Sequence, residues 1–178
     1  MPLRFEQDLQ RLLERLPPSG SIVDMRYGRG QYSDAFLSRG YAVFAFCDQH
    51  PPDAIVEGMP FTAINTAIDF TSLPHRTMQA LWATDTMVGL DPASVKQRLS
   101  LFYDWLLPGG LVSFHLPEGE GKKSVSVQGA VGRTQMTVHQ FDPGEIDQMV
   151  QNAGLRTIDA WREGPLERQT IHIIAQRP

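Results

Sequence analysis

Asp24, Gly28, Gly30 and Asp48 form the pattern in this sequence best suited to chemistry. The two glycines of Gly28-Arg29-Gly30 let the backbone bend sharply and approach a ligand closely, because neither carries a Cβ. In a nucleotide-binding βαβ unit, an acid about 20 residues further on, at the tip of the second strand, accepts from sugar hydroxyls. Asp48 stands at that distance. The dinucleotide fingerprint G-x-G-x-x-G is not met, since Ser33 occupies the place of its last small residue. A tight turn that holds no ligand would use the same glycines, so the pattern alone leaves both readings open.

A second group of residues could move protons. Asp85, His115 and Glu118 fall near the carboxyl ends of the fourth and fifth expected strands, where open α/β sheets bind their ligands. Against catalysis stands the plainer role of a solvated loop residue or a hydrogen-bonded structural one. His139 and His172 lie in strand-like segments and are expected to face solvent. Lys122, Lys123 and Arg133 could meet an acidic substrate or simply keep the surface soluble. Cys47 reads as a small core residue.

These residues need a scaffold, and the hydrophobic pattern supplies one. Phe5, Leu9, Leu12, Leu13 and Leu16 share one helical face, in a helix that Pro17 stops and that packs at the sheet edge. Ile22 and Val23 open a buried strand. Tyr32, Phe36 and Leu37 mark a helix ended by Gly40, and Tyr41 to Phe46 is an apolar run of the kind buried on both faces of a parallel sheet. Residues 49–53 read as a turn and 54–59 as at most a short helix. Further strands are expected over 61–70, ending near Asp69, and over 78–82.

Asp91-Pro92 opens a helix with a capping acid and a proline in the first turn, and Val95, Leu99, Phe102 and Leu106 form its stripe. Residues 107–110 end it before a fifth strand over 111–116. The stretch 117–132, rich in Gly, Lys and Glu, predicts a mobile loop, and 134–141 is extended. Asp142-Pro143 opens another helix through Ile146, Met149 and Val150. Two strands, near 156–161 and 170–175, close the chain as a hairpin. The alternation predicts a Rossmann-like α/β fold: a mostly parallel, seven-stranded sheet with helices on both faces and a C-terminal antiparallel hairpin, in one domain over 1–178.

Composition narrows the function. With 16 Lys+Arg against 20 Asp+Glu and no basic run, the chain offers no general attraction to nucleic acid or anionic lipid. One cysteine excludes an internal disulfide and a cysteine-cluster zinc site, and no metal is expected. The charged N-terminus is unlike a signal peptide, and no stretch reaches the roughly 20 apolar residues of a membrane span. A cytoplasmic protein, monomeric or homodimeric, is the expectation.

Five motifs in order resemble the class I S-adenosylmethionine-dependent methyltransferases over nearly the whole chain. The family's D-x-G-x-G-x-G has its counterpart in Asp24-Met25-Arg26-Tyr27-Gly28-Arg29-Gly30, and its G-Y-x-V ending in an acid in Gly40-Tyr41-Ala42-Val43 through Asp48. Asp69 precedes Leu73-Pro74 as a later acid does in the family. The L-x-P-G-G segment is Leu106-Leu107-Pro108-Gly109-Gly110, and an A-G-[FL] helix ending is Ala153-Gly154-Leu155. Small bacterial members look closest, through Trp82-Ala83 and Glu118-Gly119-Glu120-Gly121.

The resemblance implies S-adenosylmethionine as cofactor and a small molecule as methyl acceptor. It implies that Gly28 and Gly30 approach the methionine portion, that Asp24 orients the turn and contacts the amino group, and that Asp48 holds the ribose. Asp69 would accept from the adenine amino group with Phe70 beside the ring, and Trp82 would line the crevice. Apart from the resemblance, Asp85 and His115 are the candidate acid–base residues by their place at the strand ends.

Arg26 departs from the family's glycine. It either meets the cofactor carboxylate, pairs internally with Asp24 or Asp48, or impairs the site. In the last case the protein is a non-catalytic methyltransferase-fold module for binding or interaction. The N-P-P-[YF] signature of amino-directed enzymes is absent at residues 83–86, and Gly89 stands where close relatives carry histidine. NAD as the ligand is disfavoured by Ser33 and by the terminal hairpin.

Overall fold

The computed structural model describes residues 5–26, 28, 30–47, 61–65, 73–129 and 132–178. Five parallel strands make the body of the sheet: β1 (Ser21–Asp24), β2 (Ala42–Cys47), β3 (Phe61–Asn65), β4 (Met78–Trp82) and β5 (Leu106–Pro117). Two more, β8 (Arg156–Glu163) and β9 (Thr170–Gln176), add to it antiparallel. The spatial order is β3-β2-β1-β4-β5-β9-β8. The order reverses at β1, so β1 and β4 frame the crevice between the two halves.

Successive side chains of a strand face opposite ways, and the core divides accordingly. Ile22, Val43, Ala45, Ala80 and Trp82 face one layer, built with α1 (Glu6–Leu13) and α2 (Gln31–Leu37). Val23, Phe46, Leu81, Val112 and Phe114 face the other, built with α3 (Pro92–Trp105) and α4 (Pro143–Asn152). Both of the latter helices start as the sequence predicts. The Asp91 carboxylate accepts from Ser94 N at 2.7 Å, and Asp142 accepts from Gly144 N at 2.8 Å. Each takes up one of the amides that a helix's first turn leaves without a partner.

Three expectations need correction. The stretch expected as a mobile loop holds most of a hairpin, β6 (Lys122–Gly129) against β7 (Gly132–His139), in a sheet of its own. Its Ser124-Val125-Ser126-Val127 alternation has the period of two that a strand requires. β5 begins at Leu106 directly after α3, and the register with β4 jumps between Met78↔Leu106 and Ala80↔Leu111. The Pro108-Gly109-Gly110 stretch is the slack in that jump. α1 lies across the face of the sheet rather than along an edge alone: Leu9 and Leu12 pack with Leu111 and Ile174, Asp8 meets His172 of β9, and Arg11 and Arg15 reach out to Asp159 of the edge strand β8, at 3.0 and 2.8 Å.

Candidate functional site

The turn after β1 is built around a buried acid. Asp24 has no exposed surface. One carboxylate oxygen accepts from Ser33 Oγ at 2.7 Å, the other from Arg26 N at 3.1 Å. Burial raises its pKa from 3.8 to about 6, against the opposing pull of those hydrogen bonds. Gly28 and Gly30 take left-handed backbone, with φ of 54° and 78°, and the Gly30 carbonyl accepts from Asp34 N to start α2. Among the described residues, a Cβ on Gly28 would meet nothing closer than the Arg26 carbonyl at 3.8 Å. Glycine is therefore needed there for its dihedral rather than for space.

Ser33 now has a role: where the dinucleotide fingerprint wants a small residue, its hydroxyl locks the acid at the head of β1. The Arg26 side chain is exposed and, among the described residues, forms no ion pair with Asp24 or any other acid. Asp48, Asp69 and Phe70 lie outside the described residues. Trp82, expected to line the crevice, is buried against Tyr32 and Phe36, with ring centroids 5.0 and 6.0 Å away. Its alternate position on β4 sends the indole under α2, so it is a core residue with no surface to offer a ligand.

At the carboxyl ends of β4 and β5 the structure brings Asp85 and His115 together, Oδ1 to Nε2 at 3.3 Å. His115 is buried and Asp85 partly exposed. Asp85 holds φ at +63°, an uncommon conformation for a residue with a side chain. Just below, Thr84 Oγ1 and Ser113 Oγ are buried with no hydrogen-bond partner among the described residues. Glu118, the third candidate, is engaged elsewhere in a two-pronged pair with Arg162, at 2.7 and 2.9 Å. β7 leans toward the same end: a Cβ on Gly89 would strike Met136 Cε at 2.7 Å. At φ of 88° a side chain at position 89 would sit in strained left-handed backbone, while Met136 Cε is the far end of a flexible, exposed side chain that can swing aside.

His172 corrects the expectation of a solvent-facing side chain. It is 2% exposed because its strand sits inside the sheet with α1 laid across it. Its ring stacks between His115 at 5.0 Å and Trp161 at 5.4 Å, and its Nδ1 lies 2.7 Å from the Asp8 carboxylate on the underside of α1. Sequence reasoning passed over Asp8. Its signal was an acid three residues from Phe5 and four from Leu12, on the buried stripe of the helix.

No model of a known protein family matches the sequence, and no curated protein matches it. Solved structures do match in fold. A methyltransferase from Mesorhizobium loti dependent on S-adenosylmethionine superposes with a TM-score of 0.72 at 14% identity, covering 97% of each chain. The Burkholderia thailandensis 1,6-didemethyltoxoflavin-N1-methyltransferase, solved with its substrate and S-adenosylhomocysteine, gives 0.71 at 18%, over 96% of this chain and 76% of that one. The glycopeptide N-methyltransferase MtfA, complexed with S-adenosylmethionine, gives 0.70 at 13%, over 99% and 100%. The fold is therefore that of the class I S-adenosylmethionine-dependent methyltransferases. At these identities the likeness is one of architecture.

Proposed function

We propose that this protein is an S-adenosylmethionine-dependent methyltransferase acting on a small-molecule acceptor. The observation that carries the reading is the turn at the head of β1, in which a fully buried acid holds the backbone amide of residue 26 and the first turn of α2, while two left-handed glycines shape the rest. The donor set fits the methionine end of the cofactor. Gly28 presents open backbone, and Arg26 holds an exposed guanidinium suited to a carboxylate. Asp24 shapes this turn without touching the ligand, since it has no exposed surface. Asp48, Asp69 and Phe70 complete the reading at the ribose and adenine. The cofactor, when bound, supplies an activated methyl group on a sulfonium.

The chain's own task is then to orient the acceptor and manage one proton. Asp85, partly exposed, is the group that faces the acceptor and takes its proton. His115, buried behind it, donates from Nε2 and fixes the carboxylate. The lack of any basic run favours a small acceptor over nucleic acid. The same reading takes 1–178 as one unit, cytoplasmic, monomeric or homodimeric; among the described residues no helix is long and apolar enough to cross a membrane. The alternative, a non-catalytic module, rests on Arg26; the exposure of its side chain, with no ion pair to an acid among the described residues, weighs against that reading.

Calorimetric titration with S-adenosylmethionine and S-adenosylhomocysteine tests the proposal. Saturable binding of both is expected; absence of heat at millimolar ligand overturns it.

A further inference from the structure

Beyond the methyl-transfer reading and independent of it, we propose that Asp8, His115 and His172 form a binding site for a divalent transition metal of the zinc type. One donor atom from each lies within 4.8 Å of the others, and the three side chains are only 1%, 3% and 2% exposed. They come from α1, β5 and β9, so only the finished fold assembles them.

The hydrogen bonding leaves this cluster half-satisfied in a particular way. His115 turns Nε2 to Asp85 at 3.3 Å, and His172 turns Nε2 to Glu163 at 3.6 Å. His115 thus has a carboxylate behind it within hydrogen-bond reach, the arrangement that orients a metal-ligating histidine, whereas Glu163 stands behind His172 as a nearby charge rather than a hydrogen-bond partner. On the other side, His115 Nδ1 and Asp8 Oδ1 are buried with no hydrogen-bond partner among the described residues. A hydrogen-bonded Asp8–His172 pair accounts for the 2.7 Å contact, but not for these two orphaned atoms. Each would be a desolvated polar atom with nothing to compensate it if no partner met it.

A cation between them satisfies both at once and displaces the proton shared by Asp8 and His172. Two imidazoles and one carboxylate suit zinc and its first-row neighbours, and do not suit magnesium or calcium, which seek oxygen. Metal–ligand bonds of about 2.1 Å require the donors to close in from their present separation.

Access is present as well. A cleft of about 200 Å³ lined by Phe5, His115, Glu163, Arg168, Thr170 and His172 opens on both rings. Three protein ligands with a cleft alongside leave a coordination position for water or an incoming donor.

The test uses the full chain, stripped with a chelator and titrated with Co²⁺ by visible absorption and with Zn²⁺ by calorimetry. One equivalent per chain is expected, with Co²⁺ ligand-field bands that Zn²⁺ abolishes and excess Mg²⁺ does not. His172→Ala and Asp8→Ala should each weaken Zn²⁺ at least 100-fold. Because these two could unsettle the fold, His115→Gln is the decisive variant: it should melt as the parent does without metal, yet lose the Co²⁺ bands. Asp85→Asn should weaken Zn²⁺ about tenfold by releasing the His115 ring. Failure to bind Co²⁺ or Zn²⁺ below about 1 mM, or binding that His115→Gln leaves intact, overturns the proposal. S-adenosylhomocysteine titration of the same samples reports on methyl transfer separately.

Discussion

The turn after β1 and the histidine row across β5 and β9 are both buried polar structures at the same end of the sheet, yet they are made in opposite ways. The turn is local: Asp24, Arg26 and Ser33 lie within ten residues, and each carboxylate oxygen of Asp24 has its donor. The row is assembled from α1, β5 and β9, with Asp8 and His172 164 positions apart, and it ends in two atoms, His115 Nδ1 and Asp8 Oδ1, without a hydrogen-bond partner among the described residues. A buried polar network with all its bonds made rigidifies a fold; one with bonds missing is costly unless something else completes it. The turn is thus a finished scaffold that holds its own shape, and the row is a socket.

The sharpest way to break that contrast is to remove one member of the row. His172→Ala takes away the one hydrogen-bond partner that buried Asp8 has among the described residues. It should cost about 3–5 kcal/mol in urea unfolding. Replacing both partners with apolar residues, Asp8→Leu with His172→Phe, should recover most of that loss. If the single variant is as stable as the parent, the row is not a coupled unit.

The turn is probed through pH. Asp24 has its pKa raised to about 6 in the fold. Its contribution to stability is therefore fully present below the unfolded value near 3.8 and is lost as pH rises through 6. The span of roughly two units corresponds to about 3 kcal/mol. Unfolding free energies measured from pH 4 to 8 should show Asp24→Asn lacking this decline and exceeding the parent near pH 7. Parallel curves for the two proteins would contradict the burial argument.

Smaller effects separate shape from charge in the turn. Gly30→Ala forces a Cβ into left-handed backbone at φ 78° and should cost about 1–2 kcal/mol by thermal melting, while leaving Zn²⁺ binding at the row unchanged. Arg26→Gly should leave stability alone and weaken S-adenosylhomocysteine only about two- to fivefold, the range of an exposed ion pair. A gain in affinity would instead show arginine standing in the way.

The same contrast explains what the sequence revealed. β1, α2 and β2 were legible because their signals are contiguous: a β-branched start, glycines, a helical stripe and an apolar run. Asp85 and His115 were legible as positions at strand ends, although their contact depends on β5 extending past the end of β4. His172 lies in Thr170-Ile171-His172-Ile173-Ile174, a segment that reads as strand while a single polar residue in it suggests a solvent-facing side. The apolar residues on both sides of it are the mark of a strand covered on both faces. Asp8 vanished into an amphipathic helix defined by its leucines. The 122–139 hairpin was masked by the glycines and charges that flank it, although its short Ser–Val alternation was there to be read. No local pattern encodes a cluster that three distant segments complete.

The strand order has a further effect on how the molecule comes together. β8 pairs with β9 alone, and β9 follows it in the chain and sits between it and β5. During synthesis β8 must wait, unpaired, until its successor emerges and slots into the gap, and β5 keeps a bare edge for the same interval. Shuttering that gap also brings His172 up to His115, so the socket exists only after the last act of assembly.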